Sequence, residues 1–115
     1  MPRAKGGYKT RRRRNKILAL AKGFRGRAKN VYNIARPFVE RGLHYAYRDR
    51  RTKKRNMRRL WITRISAAAK MCGTSYSKLM GGLKKQGVDL NRKVLSELAI
   101  TNFSEFETIV KKAVA

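Results

Sequence analysis

One run constrains this chain more than any other: Arg48-Asp-Arg-Arg-Thr-Lys-Lys-Arg-Asn-Met-Arg-Arg-Leu-Trp-Ile-Thr-Arg-Ile65. Its first twelve residues hold eight Lys or Arg against a single Asp. With no Gly or Pro between, it turns apolar at Leu60, Trp61, Ile62 and Ile65, followed by Ala68 and Ala69. A helix over the first part is ringed by cations and has no face to dock on a protein core. From Leu60 onward a stripe at positions 61, 65, 68 and 72 has helical spacing. One helix therefore changes role partway, from a basic rod to the first helix of a small packed domain. A helix charged on all sides repels itself unless a polyanion surrounds it.

The charge divides the chain the same way. Of 115 residues, 31 are Lys or Arg and 6 are Asp or Glu, a net +25. Residues 1–59 carry 22 basic and 2 acidic groups, and residues 60–115 carry 9 and 4. The front half has too much like charge and too few apolar groups to offset chain entropy as an ordinary globular domain. The rear half can form one modest core. A single cysteine, Cys72, and a single histidine, His44, exclude an internal disulfide and a four-ligand zinc site. No apolar run approaches the length that spans a bilayer. The run at 17–21 is too short for a signal segment, and the lack of Ser before Ser66 argues against a transit peptide. A protein of a reducing compartment is expected.

Along the chain, residues 1–8 read as an extended arm. Residues 9–22 form a predicted helix with Gly23 at a left-handed C′ position. Its four successive arginines, 11 to 14, fan over about 300–400° of helix surface. That suits embedding in a polyanion better than lying on a flat one. A turn is expected over 24–30, where Gly23 and Gly26 allow close backbone approach. Val31, Ile34, Ala35 and Phe38 restore a helical stripe, which Pro37 should kink or open from its first turn. From about Phe38 the pattern runs unbroken to Cys72, with Gly42 as a point for a bend.

In the rear half, Gly73 should end the long helix and Thr74 or Ser75 cap the next, over 75–86. Gly87 stops that helix and Asn91 caps a third. Ser104 with Glu107 spells a capping box for the last. The expected core is Trp61, Ile65, Tyr76, Leu79, Leu83, Leu95, Leu98, Phe106 and Ile109. The fold class is all-α. A long basic helical N-terminal extension (residues 1–59), kinked and non-globular, leads into a small compact four-helix C-terminal domain (60–115).

The chemistry-bearing feature is dense Arg and Lys with aromatics between them, the footprint of a nucleic-acid binder. Arg offers planar, bidentate phosphate contacts. Candidates in the arm and first helix are Arg3, Lys5, Lys9, Arg11, Arg12, Arg13, Arg14, Lys16 and Lys22. The turn and the next helix add Arg25, Arg27, Lys29 and Arg36. The rod adds Arg48, Arg50, Arg51, Lys53, Lys54, Arg55, Arg58 and Arg59, and Arg64 continues it. Lys84, Lys85, Arg92 and Lys93 flank the turn at Gly87, as a second contact or as a solvated face near helix ends. Tyr8, Phe24, Tyr32, His44, Tyr45 and Tyr47 are candidates for stacking on unpaired bases. For any one of them, incidental packing is the commoner role.

RNA is favoured over DNA. No heptad zipper follows the basic rod, so a basic-region dimer is unsupported. Arginines on every face suit the interior of folded RNA, whereas a duplex presents phosphates from one side. No carboxylate pair, phosphate loop or triad order stands out. No catalytic residue, cofactor or metal is therefore expected. Cys72 reads as a small core residue.

Read together, several runs resemble one family. They include Arg11-Arg-Arg-Arg-Asn-Lys-Ile17, Lys22-Gly-Phe-Arg-Gly26, Tyr45-Ala-Tyr-Arg-Asp-Arg-Arg51, Lys53-Lys-Arg55 and Arg59-Leu-Trp-Ile62. Further on come Ser75-Tyr-Ser-Lys78, Gly82-Leu-Lys-Lys85 and Asn91-Arg-Lys-Val-Leu95. They resemble the bacterial-type large-subunit ribosomal protein L-twenty family, in order and over nearly the whole chain. The resemblance implies direct binding of 23S-type ribosomal RNA, an early assembly role and no part in peptide-bond chemistry. It implies a front extension threaded into RNA, a rear domain on the RNA surface and neighbouring large-subunit proteins as partners. It also implies, in some bacteria, repression of the protein's own messenger RNA through the rear domain. The expected location is a cytoplasmic large subunit, with an organellar ribosome also compatible; neither a membrane nor a homo-oligomer is expected. Pro37 and Cys72 depart from the family pattern.

The resulting expectation is that residues 1–59 lack contacts of their own and become ordered when RNA supplies phosphates. A histone-like DNA-compacting protein is the alternative reading.

Overall fold

A computed structural model describes all 115 residues. It is all helical: α1 spans Tyr8–Leu20, α2 Tyr32–Met71, α3 Tyr76–Lys85, α4 Arg92–Thr101 and α5 Phe103–Val114, with a 3₁₀ turn at Gly26–Lys29. Contacts divide the chain into two compact units, Met1–Arg51 and Thr52–Ala115, and the division falls inside α2.

In the front unit, α1 stops at Leu20, with Ala21 as C-cap. Gly23, at φ +88°, therefore lies one position beyond the expected C′ place, in a turn where the Phe24 amide donates to the Ala21 carbonyl at 3.1 Å. Ala21, Ala35 and Val39 form a small buried cluster, with Ile17, Leu18 and Phe24 packed against it. The front unit thus has contacts of its own, against the sequence expectation. They arise because the turn folds α1 back beside the start of α2 and brings two short apolar stripes together. The cluster is small. A buried valine contributes about 1.5–3 kcal/mol, while ordering each backbone residue costs about 1–2 kcal/mol.

That cluster also bears on Pro37, expected to kink the helix or to open it from the first turn. The long helix begins at Tyr32 and runs through Pro37, its sixth residue. The proline neither opens the helix nor ends it. Its ring removes the amide that would reach the Asn33 carbonyl, a loss of about 3 kcal/mol or more in a helix interior. Ala35 and Val39 on either side are buried, and the Ala35 amide donates to Val31 at 2.8 Å. Packing holds the helix where local propensity disfavours it.

The rear unit has an ordinary core. Ile65, Ala68 and Ala69 of α2 meet Leu79 and Leu83 of α3, Leu95 of α4, and Phe106, Val110 and Ala113 of α5. Tyr76, Leu98 and Ile109 are half-buried at its edge. Trp61, expected in the core, stays outside the cluster and half-buried. Helical spacing marks a face, but Ile109 and Val110 both lie on it, and packing put Val110 inside. Small residues set the closest approach: a Cβ on Gly82 would lie 1.9 Å from the Ala113 carbonyl oxygen. In the same place the Gln86 side-chain amide donates to the Lys112 carbonyl, an end group of α5.

The expected stops are present. Gly73 and Gly87 have φ of +76° and +69°. The Thr74 amide reaches back to Ala69 at 2.9 Å, and Val88 to Leu83 at 3.0 Å. This is the six-to-one bond of a left-handed glycine cap. Ser75, not Thr74, caps α3 by accepting from the Lys78 amide at 3.4 Å, and Asn91 caps α4 by accepting from Val94 at 2.9 Å. The capping box at Ser104 does not form. Only Asn102 separates α4 from α5, so Ser104 lies inside the first turn and its hydroxyl donates to Asn102 Oδ1 at 2.8 Å. Glu107 pairs instead with Lys111 at 2.9 Å.

Candidate nucleic-acid interface

The basic candidates of the front half are all exposed. Arg11, Arg12, Arg13 and Arg14 lie on α1, and Arg36, Arg48, Arg50, Arg51, Lys53, Lys54, Arg55, Arg58 and Arg59 on α2. Arg3 and Lys5 precede α1, Lys22 and Arg25 follow it, and Arg27 and Lys29 are in the 3₁₀ turn. Arg41, absent from the sequence candidates, is equally exposed on α2; its charge was the available signal.

The two acids of residues 1–59 are both occupied. Glu40 accepts from Arg36 Nε at 2.8 Å, and Asp49 from Arg48 Nε at 3.0 Å. These hydrogen bonds hold both guanidinium pKa values above their ordinary level, with the carboxylate charge adding to the effect. No other basic residue of this half forms an ion pair with a carboxylate.

The helix ends sharpen the imbalance. A helix N-terminus carries partial positive charge and favours anions; a C-terminus favours cations. α1 has no acid in its first turn and no base in its last. Instead Lys9, Arg11 and Arg12 crowd its positive end. α4 repeats the pattern, opening on Arg92 and Lys93. Lys84 and Lys85, by contrast, sit at the C-terminal end of α3, where the dipole stabilises them.

Of the aromatic candidates, four lie against protein groups. Tyr32 is half-buried, with the Arg14 guanidinium 5.3 Å from its ring centre. Arg48 lies 4.7 Å over Tyr45, and Arg51 4.8 Å over Tyr47, whose hydroxyl accepts from Arg51 Nη2 at 2.7 Å. Phe24 packs on the small apolar cluster. Tyr8 and His44 are exposed. A cation on one face of a ring leaves the other face open to a base. A groove of about 600 Å³ beside α1 collects Thr10, Arg11, Arg14, Asn15, Asn30 and Tyr32. They come from separate stretches of the chain, so spacing along the sequence does not join them.

The four basic candidates flanking the Gly87 turn do not share one site. Lys84 and Arg92 line a groove of about 520 Å³ at the Gly87 turn, and Arg92 Nε donates to the Tyr76 hydroxyl at 2.8 Å. Lys93 joins Arg64 and Trp61 in a different groove, and Lys85 is exposed. Cys72 is half-buried, and desolvation raises its thiol pKa, with Glu107 adding to the rise. No three His, Cys, Asp or Glu side chains come together as metal ligands. No helix is long and apolar enough to cross a membrane.

Known proteins resemble this chain over its whole length. The family model described as Ribosomal protein L20 matches residues 3–109. A protein of Anaeromyxobacter sp. (strain Fw109-5), named large ribosomal subunit protein bL20, is 58% identical over 113 residues, covering 98% of this chain and 99% of its own length. Proteins of the same name from Leptothrix cholodnii and Amoebophilus asiaticus are 56% identical over 115 residues and 55% over 112. They cover 100% and 97% of this chain, and 98% of their own length in each case. None of these names is that of an enzyme. The chain belongs to the ribosomal protein L20 family.

Proposed function

We propose that this protein binds 23S-type ribosomal RNA directly, promotes early assembly of the large subunit and takes no part in peptide-bond chemistry. The observation that carries the reading is uncompensated charge. The front half presents 22 basic residues, only Arg36 and Arg48 meet a carboxylate, and the cations of α1 crowd the helix end that repels them. Phosphates relieve both repulsions, and the counterions released on binding favour the complex. The names of its relatives supply the setting, a large ribosomal subunit, and neighbouring large-subunit proteins as further partners.

The same reading makes RNA part of the fold. The front unit's apolar cluster is too small to hold α1 and the start of α2 alone, so these helices are completed by RNA. The Lys84 and Arg92 groove gives the rear unit an RNA surface of its own, through which it also holds its own messenger RNA.

Binding of a large-subunit RNA fragment, measured across a salt series, tests the main claim. With about ten phosphates neutralised, log affinity falls against log salt with a slope of about −7 to −9. A slope shallower than about −3 removes the basic front as the principal contact. Equal affinity for random duplex DNA favours a histone-like role instead.

A further inference from the structure

The front of α2 keeps one face free of cations. Ala35, Phe38, Val39, Gly42, Tyr45 and Ala46 recur at helical spacing, and no Lys or Arg falls among them. Arg41, Arg48 and Arg50 lie along the edges of this face, and Lys53 closes it one turn beyond Asp49. Its first part is covered by α1, since Ala35 and Val39 are buried in the small cluster. The rest is bare. Phe38 is 51% exposed and Tyr45 46%, and Gly42 and Ala46 are exposed with them. Asp49, the one acid on the face, is already paired with Arg48. From Phe38 to Asp49 the uncovered part runs about 16 Å, or three helical turns.

Gly42 sits in the middle of that part, and nothing in this chain requires a glycine there. Its φ is not positive, and α2 runs through it without a break. Glycine is a poor helix former, so a helix interior keeps one at a cost. Gly82 is required by the Ala113 carbonyl, whereas a Cβ on Gly42 meets nothing within 4 Å. Gly81 is equally clear, so a clear glycine is not by itself a site. Gly42 differs because it continues a stripe whose beginning is buried.

The charge of the face decides what can cover it. Phosphates gain nothing where no cation lies, and the basic edges attract them away. Small side chains give a base little to stack on, and one side of the Tyr45 ring is taken by Arg48 at 4.7 Å. A second copy would set its own cations against Arg41 and Arg50, with +25 on each chain. A helix with an apolar stripe edged by Asp and Glu satisfies both parts: the stripe buries Phe38 and Ala46, and the acids meet the arginines. Gly42 lets its backbone come close.

We propose that this face of α2 docks an acid-edged amphipathic helix of a neighbouring large-subunit protein. The inference rests on the large-subunit setting given above, and it adds a protein contact to a unit otherwise read as held by RNA. Three helical turns are too few to hold two proteins together alone, so the contact forms within the assembled subunit.

The full-length protein is made with photoreactive p-benzoylphenylalanine in place of Phe38 or, on the basic rod, of Arg55. Large subunits containing it are purified, washed at high salt and irradiated, and each crosslink is mapped to a peptide or a nucleotide. The Phe38 probe is expected on another subunit protein, in a segment with apolar residues at helical spacing flanked by Asp or Glu. The Arg55 probe is expected on RNA. A Phe38 crosslink to RNA, to a second copy or to a segment without that pattern overturns the docking face, as does no crosslink at all. An Arg55 probe that never meets RNA counts against the RNA-binding reading and leaves the docking face standing. Gly42→Leu gives an independent readout. A Cβ there meets nothing and Leu favours a helix, so the free variant keeps its helicity by circular dichroism. Its affinity for a protein-free large-subunit RNA fragment stays within about twofold, while its share of large subunits in competition with the unaltered protein falls about five- to tenfold. An equal loss of RNA affinity assigns the face to RNA and overturns the proposal, and so does unchanged incorporation.

Discussion

The two units of this chain are built from the same secondary structure by unequal means. The rear unit buries Ile65, Leu79, Leu83, Leu95, Phe106 and Val110, with three alanines between them. The front unit buries three alanines and Val39. Its large apolar side chains, among them Tyr8, Leu20, Ile34, Phe38 and Leu43, remain exposed. The rear helices are capped by Ser75 and Asn91 and closed by Gly73 and Gly87. α1 has no side-chain cap and carries its charges against its own dipole. A helical pattern therefore says little about what holds the helix. In the rear unit that is apolar burial; for the front unit we propose that it is RNA.

The largest test of this contrast replaces Arg11, Arg12, Arg13 and Arg14 with Gln. Each lost phosphate contact removes about one unit from the salt slope, so the slope becomes shallower by about 3–4 units. Rear-unit stability, followed by denaturant unfolding with Trp61 fluorescence, stays the same. If that stability falls instead, the two units are not independently held. Circular dichroism of the free protein probes the same contrast from the other side. Less than half of the residues are expected to be helical until RNA is added.

Phe106→Ala acts on the opposite unit. It removes the largest fully buried side chain and costs about 3–5 kcal/mol of rear-unit stability. Gly82→Ala drives a methyl group into the Ala113 carbonyl and costs about 1–3 kcal/mol, because α3 and α5 must separate. A stable Gly82→Ala protein contradicts the close approach. Asn91→Ala removes a single cap and lowers rear-unit stability by about 0.5–2 kcal/mol.

The smallest effect belongs to Cys72. Desolvation raises its thiol pKa above the ordinary value, so the folded state holds this proton more tightly than the unfolded chain. The resulting stability is complete below the unfolded thiol pKa, about 8.5, and fades as pH rises through the folded one. A decline in stability above about pH 8.5 that is smaller in Cys72→Ala is the expected signature; identical pH curves contradict it.

Much of the fold was legible because its signals are local. A glycine that needs positive φ, as at 73 and 87, stops a helix whatever lies around it. Asn91 and Ser75 cap because their side chains reach amides three residues on. The misses were of another kind. The preference of Pro37 alone leaves open whether it starts the helix or lies within it, and its position between buried Ala35 and Val39 places it within. Ser104 with Glu107 had the right spacing, but the one-residue link at Asn102 left no room for a separate cap. At the interface, the basic residues were legible as charges and their groupings were not. Lys93 parted from Lys84 and Arg92 because successive positions on a helix point about 100° apart.

By itself, then, the sequence determined the helical class, the closing points of the rear helices and the excess of cations that demands an anionic partner. Each follows from a residue's own backbone preference, its near neighbours or its charge, none of which needs distant contacts. Tertiary structure alone decided that Val110 rather than Trp61 enters the core, that the long helix continues through a proline, and that Ser96 is buried beside Trp61, Arg64 and Glu97. Those outcomes depend on which helix faces which, and periodicity marks a helix's faces without naming their partners.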